Sequence, residues 1–492
     1  MAKASNHEFD WLVIILVYNN TTYKFEKKKD ANYINMPFQK VSLFNAVKDS
    51  AFSKKIKIFI VEARIEDDEK TKKIQQSIFV LERKKAGSKG LLTVYTRRNT
   101  GNSELESAAG VAGIMRELVA LNPARKHIVV TFGHGSFFGI NYMPIGPTTS
   151  VPKDHNDDPR GHDTDNLGPE RALIKNETDT IFTESSAVKY AVQKEKTNLS
   201  ELTPGRNALN LLTAKELNDA FRDVYGHKKV DVLIMYNCIM QNLFTQYELR
   251  NTVDYLVAPV SGISHPGYHY REVLKALAQS PELSNQEVCD KIISSINQRV
   301  GNHFKYIGDI EQTWKVHAVQ LDNTVFESIK NALAALMEEV YRLQQNDVTI
   351  LQCLELAQRQ LFNYGVYCLN SIKIVDLDVL LGYWLKKINR FKSSAPLIPF
   401  IIALRNELHK VNVAGRFTGK NFYKNGFSYV DQEVKPLGAI VGCCIWFPRL
   451  AATKFELFAK ILKGSPEELV PSIIKGTRYS EVFTEMLGKL RR

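Results

Sequence analysis

HIVVTFGHG, residues 127–135, is a run of β-branched and aromatic residues that stops on Gly133-His134-Gly135. A short, continuous apolar run bounded by turn residues is the pattern of a strand buried on both faces. VDVLIMYNC, residues 230–238, repeats the pattern and stops on Asn237-Cys238. Similar runs stand at 11–18 (WLVIILVY), 57–63 (KIFIVEA) and 253–260 (VDYLVAPV). Helical stretches separate them. One covers 105–121, entered through Ser103 or a neighbour and closed by Asn122-Pro123; another covers 214–225, opened by the capping box Thr213 to Glu216. Residues 77–82 and 90–96 read as an edge hairpin. Strands alternating with helices predict an α/β fold whose sheet is parallel and covered on both faces.

Downstream the chain turns helix-rich, with expected helices at 271–279, 285–299, 324–345, 350–362 and 377–389. Strand-like pieces remain at 316–321 and 437–446. The expected division is a first domain over 1–280 and a helix-rich C-terminal subdomain over 281–492 packed on it. Residues 151–206 interrupt the first domain with a polar stretch that lacks apolar periodicity, and an insertion of that size inside a compact domain points to a functional role or to disorder.

Composition narrows the class. The chain has 492 residues, 44% hydrophobic and 24% charged, so it is globular and long enough to bury a core without staples. Its net charge of +12 raises the question of nucleic acid. Residues 1–133 hold 23 Lys and Arg against 14 Asp and Glu, whereas residues 151–206 hold 8 against 11. The excess is spread out, with no zinc-finger pairs, basic zipper or aromatic RNA-binding signature, so a solvated basic surface is expected and no nucleic-acid partner. The six cysteines, at 238, 289, 353, 368, 443 and 444, form no CxxC pair and have no His at ligand spacing. No metal and no cofactor is expected. The apolar run at 11–18 is too short for a membrane span and the N-terminus lacks a secretory signal pattern, so a cytoplasmic protein with reduced thiols is the expectation.

In a parallel α/β sheet, reactive groups collect at the carboxyl ends of strands. Two strands here end on reactive side chains, His134 and Cys238. If the strands are neighbours, an imidazole stands across one crevice from a thiol. A thiol at its ordinary pKa is only a few per cent thiolate at neutral pH, and an imidazole can take its proton and later protonate a leaving amine. Gly135, without a Cβ, allows close approach of its N–H to an oxyanion. Residue pattern alone leaves the plainer reading open, in which Cys238 is a small core residue and His134-Gly135 a turn. A serine hydrolase would need a GxSxG elbow and a nucleotide site would need a glycine-rich phosphate loop; neither motif occurs.

An apolar strand followed by His-Gly, and a second followed by Cys, resembles the caspase-like clan of cysteine peptidases, and the flanks resemble the clostripain family. The resemblance runs through NTGNSELESAAGVAGIMRELVALNPARKHIVVTFGHGS (99–136) and through 212–277, including Gly267-Tyr268-His269-Tyr270. It continues in VHAVQLDNTVFESI and GAIVGCCIWFP and covers roughly 9–465. It implies a caspase-like α/β/α sandwich with a mostly parallel central sheet. It further implies a cysteine endopeptidase, expected to be intracellular from the lack of a secretory signal pattern, with Cys238 as nucleophile, His134 as general acid/base, and the N–H groups of Gly135 and Cys238 as the oxyanion hole. Tyr236, Asn237, Ser261, Gly262 and His265 are the candidate substrate pocket. Members that cut after Arg or Lys carry an Asp two residues before the nucleophile. This chain has Tyr236 there, which implies an apolar or small primary-specificity residue. The interval holding 151–206 is where relatives are cut during activation, so the insertion is expected to regulate. Expected partners are a protein or peptide substrate, with a dedicated effector of defence or cell death as one form. The competing reading is a catalytically silent scaffold built on a peptidase fold.

Overall fold

The computed structural model describes residues 8–18, 55–68, 71–80, 92–99, 104–133, 135–136, 138–141, 211–237, 239–260, 270–307, 315–364, 368–369, 374–418, 441–446 and 470–482. The first strand, β1 (Phe9–Val17), is the expected apolar run. It is followed by β2 (Ile56–Asp68), β3 (Thr71–Val80) and β4 (Leu92–Asn99). Then come α1 (Ala108–Leu121), β5 (Ala124–Phe132), α2 (Ala214–Tyr225), β9 (Val230–Tyr236), α3 (Leu243–Leu249) and β10 (Val253–Pro259). Three short strands lie between β5 and α2: β6 (Gly135–Ser136), β7 (Gly139–Asn141) and β8 (Leu211–Thr213).

The downstream half contributes α4 (Tyr270–Gln279), α5 (Asn285–Ile307), β11 (Lys315–Gln320), α6 (Asn323–Gln344) and α7 (Thr349–Tyr364). After these come β12 (Cys368–Leu369), β13 (Ile374–Asp376), α8 (Leu377–Ile388), α9 (Ile398–Leu408), β14 (Val413–Thr418) and β15 (Cys444–Trp446).

One nine-stranded sheet organises the chain, in the order β14-β11-β10-β9-β5-β1-β2-β3-β4. Its centre, from β10 to β2, is parallel, as the alternation of strands and helices predicts. Both flanks are antiparallel: β2-β3-β4 closes one side, with β3-β4 the expected edge hairpin, and β10-β11-β14 closes the other. Within this sheet the strands from before residue 142 therefore lie on one side of the β5–β9 boundary and those from after residue 210 on the other, while β6-β7-β8 and β12-β13-β15 form two small separate sheets.

The central strands are buried on both faces because their side chains alternate. Trp11, Val13, Ile15, Ile128, Val130, Val232 and Ile234 face one core with Val273 and Leu277 of α4 and Val288 and Ile292 of α5. Leu12, Ile14, Leu16, Val129, Leu233 and Met235 face the other, with α1, α2, α3 and the C-terminal helices. Each fully buried large aliphatic side chain is worth roughly 1.5–3 kcal/mol relative to exposure, so two apolar cores, one on each face of the sheet, hold the three layers together. Cys289 is buried in the first of these cores, and Cys353, Cys443 and Cys444 in the second.

Local signals account for the ends of the helices. Thr213 caps α2 by accepting from Glu216 N, while the Glu216 carboxylate accepts from Thr213 N at 2.8 Å. The cap of α1 is Ser107, which accepts from Gly110 N at 3.1 Å, and a 3-10 turn at Glu104–Glu106 precedes it; Ser103 lies outside the described residues. Asn122 closes the helix by donating to Leu118 O at 2.8 Å. Among the described residues, no helix is long and apolar enough to cross a membrane.

Candidate active site

β5 and β9 are hydrogen-bonded neighbours running in the same direction, in register from Ile128↔Val232 to Phe132↔Tyr236. Positions 134 and 238 are each two residues beyond that last pair. His134 and Cys238 lie outside the described residues, and the site is built here from the residues that flank them.

Gly133 continues the ladder one step further, donating its N–H to Tyr236 O at 3.2 Å. Its φ is 150°, and a Cβ there would stand 3.0 Å from Tyr18 Cβ. The glycine lets β5 leave the sheet against Tyr18, whose own N–H donates to Phe132 O at 2.7 Å. Beyond this point side chains replace the ladder. Asn237 is fully buried. Its Nδ2 donates to Gly133 O at 3.1 Å, and its Oδ1 accepts from Thr131 Oγ1 at 2.6 Å.

On the far side of position 238 stands Ile239, a β-branched residue at φ 64°. A left-handed backbone at such a residue is a real outlier, with a cost on the order of 1–3 kcal/mol. Two bonds from Asn242 hold it: Asn242 Nδ2 donates to Ile239 O at 2.9 Å, and Asn242 Oδ1 accepts from Thr245 N at 2.9 Å, capping α3. The turn from β9 into α3 is thus clamped at both ends by buried asparagines.

Helix α3 is itself held from downstream. Gln246 Nε2 donates to Gly442 O at 2.8 Å, and Asn242 forms a β-bridge with Cys444. Glu248 accepts from Ser472 N at 2.6 Å. Gly442 N–H donates to Asp376 Oδ2 at 2.9 Å, and Val441 N–H to the same oxygen at 3.1 Å. Asp376 also caps α8 through Asp378 N at 3.2 Å. Burial pushes the Asp376 carboxyl up to about 7, against the pull of the Gly442 N–H and with the added push of Asp378. Burial also drives the Cys443 thiol well above its ordinary range, so this cysteine is a neutral packing residue.

The predicted pocket residues divide. Tyr236 is 5% exposed, and its ring stacks on Phe132 with centroids 4.8 Å apart. Asn237 turns into the interior as described. Ser261, Gly262 and His265 lie outside the described residues; the segment holding them leaves β10 at Pro259, whose carbonyl accepts from Gln241 N at 3.0 Å. Gly135 sits in β6, paired with Ile140 of β7, and β7 pairs in turn with β8, Asn141 opposite Leu211. The polar insertion 151–206 lies outside the described residues, but its two flanks meet at this β7–β8 pair. Among the described residues, no group of three or more His, Cys, Asp or Glu could hold a metal ion. Thr131 carries no motif signal, and only the strand pairing reveals its part.

Residues 204–381 match the family model described as the clostripain family. No curated protein matches the chain. Among solved structures, an inactive zymogen of a C11 protease from Parabacteroides distasonis is similar over 93% of this chain and 97% of its own, at 12% identity and a TM-score of 0.50. A secreted C11 cysteine protease from Bacteroides thetaiotaomicron, iotapain, is similar over 91% and 97%, at 13% identity and a TM-score of 0.49.

Proposed function

By residues 204–381 the chain belongs to the clostripain family of cysteine proteases, and from that premise we propose that it is an endopeptidase working through a Cys238–His134 dyad. The observation that carries this reading is the β5–β9 register: two adjacent parallel strands, roughly 4.8 Å apart, end in register at Phe132↔Tyr236, and in sequence the histidine and the cysteine each follow that pair by two residues.

In this reading the His134 imidazole takes the Cys238 thiol proton as the sulfur attacks the scissile carbonyl. The oxyanion accepts from the N–H groups of Gly135 and Cys238. The imidazolium then protonates the leaving amine, leaving a thioester that water hydrolyses with His134 as base. Tyr236 replaces a carboxylate beneath the primary pocket, so the preferred residue is apolar or small. The neutral, stacked ring supports this, because an unpaired cation from the substrate would meet no counter-charge there.

Activation by a cut within 151–206 fits the meeting of its flanks at β7 and β8, next to Gly135. We further propose a cytoplasmic setting, where thiols stay reduced, and a dedicated protein substrate of the effector type.

The test is covalent labelling with an acyloxymethyl ketone together with a peptide-library cleavage profile. Cys238→Ala and His134→Ala are expected to abolish both. Hydrolysis or labelling that persists in Cys238→Ala refutes the dyad. A folded wild type that neither labels nor cleaves, before or after a cut within 151–206, leaves the silent scaffold as the function.

A further inference from the structure

We propose that Asn237 is a positioning residue that sets the two peptide planes carrying His134 and Cys238. The proposal rests on the dyad reading above. Its basis is the place where the backbone ladder between β5 and β9 ends. The last ladder bond is Gly133 N–H to Tyr236 O. Past it the two chains part, one at Gly133 and the other at Ile239, both with positive φ. At the point of parting, a side chain supplies the missing cross-strand contact: Asn237 Nδ2 donates to Gly133 O at 3.1 Å.

That carbonyl has a particular neighbour. Gly133 C=O and His134 N share one planar peptide unit, so fixing the oxygen fixes the plane from which the histidine departs. The Asn237 carbonyl shares the next such unit with Cys238 N–H, which the dyad reading assigns to the oxyanion. Since Asn237 is anchored through its side chain, its Cα, and hence the start of that plane, is anchored too. One residue therefore ties the two planes together across the β5–β9 boundary.

The chemistry demands an amide. Gly133 O needs a donor and the Thr131 hydroxyl donates, so the side chain between them must donate on one arm and accept on the other. Asparagine does both at this length. Aspartate lacks the donor, leucine lacks both, and glutamine is a methylene too long for a fully buried position. Thr131 is also fully buried, and its hydroxyl at 2.6 Å from Oδ1 pins the amide in one orientation. With the Asn237 amide and the Thr131 hydroxyl both buried, solvent competes little for the clasp. Misplacement of reacting groups by about 1 Å costs on the order of 100-fold in rate, so a device that ties these planes acts on turnover rather than on substrate binding.

The experiment uses the full chain and four variants, Asn237→Asp, Thr131→Val, Thr131→Ser and Cys238→Ala. Three quantities are read: kcat and KM on one peptide from the cleavage profile, the pH profile of iodoacetamide alkylation at Cys238 followed by mass spectrometry, and the thermal midpoint. Asn237→Asp keeps the volume and the Thr131 bond but sets a charge against Gly133 O. It is expected to lower kcat about 10- to 100-fold, with KM within about twofold, and to move the alkylation midpoint. Thr131→Val is expected to do the same more weakly, and Thr131→Ser, which restores the hydroxyl, to recover the wild-type profile. If Asn237→Asp fails to fold, the Thr131 pair decides by the same readouts. Folded variants with wild-type kcat and alkylation profile overturn the proposal, as does a loss of kcat that only follows the folded fraction. Cys238→Ala separates the two claims. Activity that survives it defeats the dyad and the clasp together. A dead Cys238→Ala beside fully active Asn237 and Thr131 variants defeats the clasp alone.

Discussion

Gln246 donates from Nε2 to the carbonyl of Gly442 at 2.8 Å, across 196 residues of sequence. Gln246 lies on the helix that follows the proposed nucleophile, and Gly442 hangs by its N–H from Asp376. The glycine is gripped on both sides of its backbone. Gln246→Ala leaves Gly442 O buried without its donor, which costs about 1–3 kcal/mol. Urea denaturation of the variant is expected to show that loss, with a fall in Cys238 labelling rate. An unchanged midpoint and labelling rate would show that the grip has no part in holding α3.

Gly442 tolerates no side chain. Its φ is 70°, and a Cβ would lie 2.6 Å from His317 Nδ1. Gly442→Ala therefore combines backbone strain with a collision against a buried ring, and its loss should exceed that of Gln246→Ala, at about 2–4 kcal/mol. Equal midpoints for the two variants would count against this ordering.

The Asp376 carboxyl makes stability depend on pH. In the unfolded chain it ionises near 4 (about the usual value for Asp), and in the folded protein burial holds it at about 7. Between these limits the folded state binds a proton that the unfolded chain has released. Its contribution is complete below about pH 4, falls by up to about 1.4 kcal/mol per pH unit as pH rises, and is gone above about 7. The groups around it do not reverse the sign. Asp378, paired with Arg405 at 2.8 Å and His409 at 3.1 Å, adds to the push, and Cys443 stays neutral. Unfolding free energies of wild type and Asp376→Asn, measured at pH 4.5, 6 and 7.5, should differ by an amount that changes with pH in this direction. Parallel curves would exclude Asp376 as the source.

The β7–β8 pair makes the insertion separable from the fold. Asn141 stands opposite Leu211, so a hairpin turn of two to five residues spans the gap. Replacing 142–210 by such a turn is expected to give a folded protein with the parent's near-ultraviolet circular dichroism. Gly139→Ala is the contrasting case: a Cβ would meet Leu212 O at 2.4 Å, so the pair cannot close and labelling of Cys238 should drop. If the shortened chain unfolds while Gly139→Ala is silent, the stem does not carry the insertion.

Thr213→Ala removes one half of a capping box, leaving Glu216 N without its acceptor. A loss of about 0.5–2 kcal/mol follows. Thr213→Ser should recover most of it, and a circular-dichroism melt of the three proteins is sufficient to decide.

Much of this architecture is legible in the residues themselves. VDVLIMY announces β9 with its observed bounds, Thr213 and Glu216 announce the start of α2, and HIVVTF announces the strand that ends before His134. What the pattern hides is direction. β11 and β14 alternate like any strand, and alternation is the same whichever way the chain runs, so the antiparallel pairing of β11 onto β10 and of β14 onto β11 emerges only from the fold. β14 is further masked by Gly415, which reads as a turn but is there because a Cβ would meet Ile293 Cγ1 at 2.9 Å. α9 is short and begins Ile398-Pro399, where proline suits a first helical turn; without a polar cap residue before it, that start goes unread. Ser107 and Ser103 are equal as caps on paper, and it is Ser107 that accepts from Gly110 N. Thr131 and Asn237 stand 106 residues apart. No local window joins them, so the contact nearest the proposed chemistry is the one least visible in advance.

The strand order separates what is conserved by physics from what is open to change. Material before residue 142 and material after residue 210 meet along β5 and β9, and nothing between them is needed to bring that meeting about except a tether. Tether length is nearly neutral, since each doubling of a closed loop adds only about 0.6 kcal/mol. Mutation can therefore lengthen, shorten or rewrite the interval without touching the β5–β9 pairing on which the proposed bond cleavage depends. If the interval regulates as proposed, timing and chemistry are written in different parts of the chain, and selection can act on one while leaving the other alone.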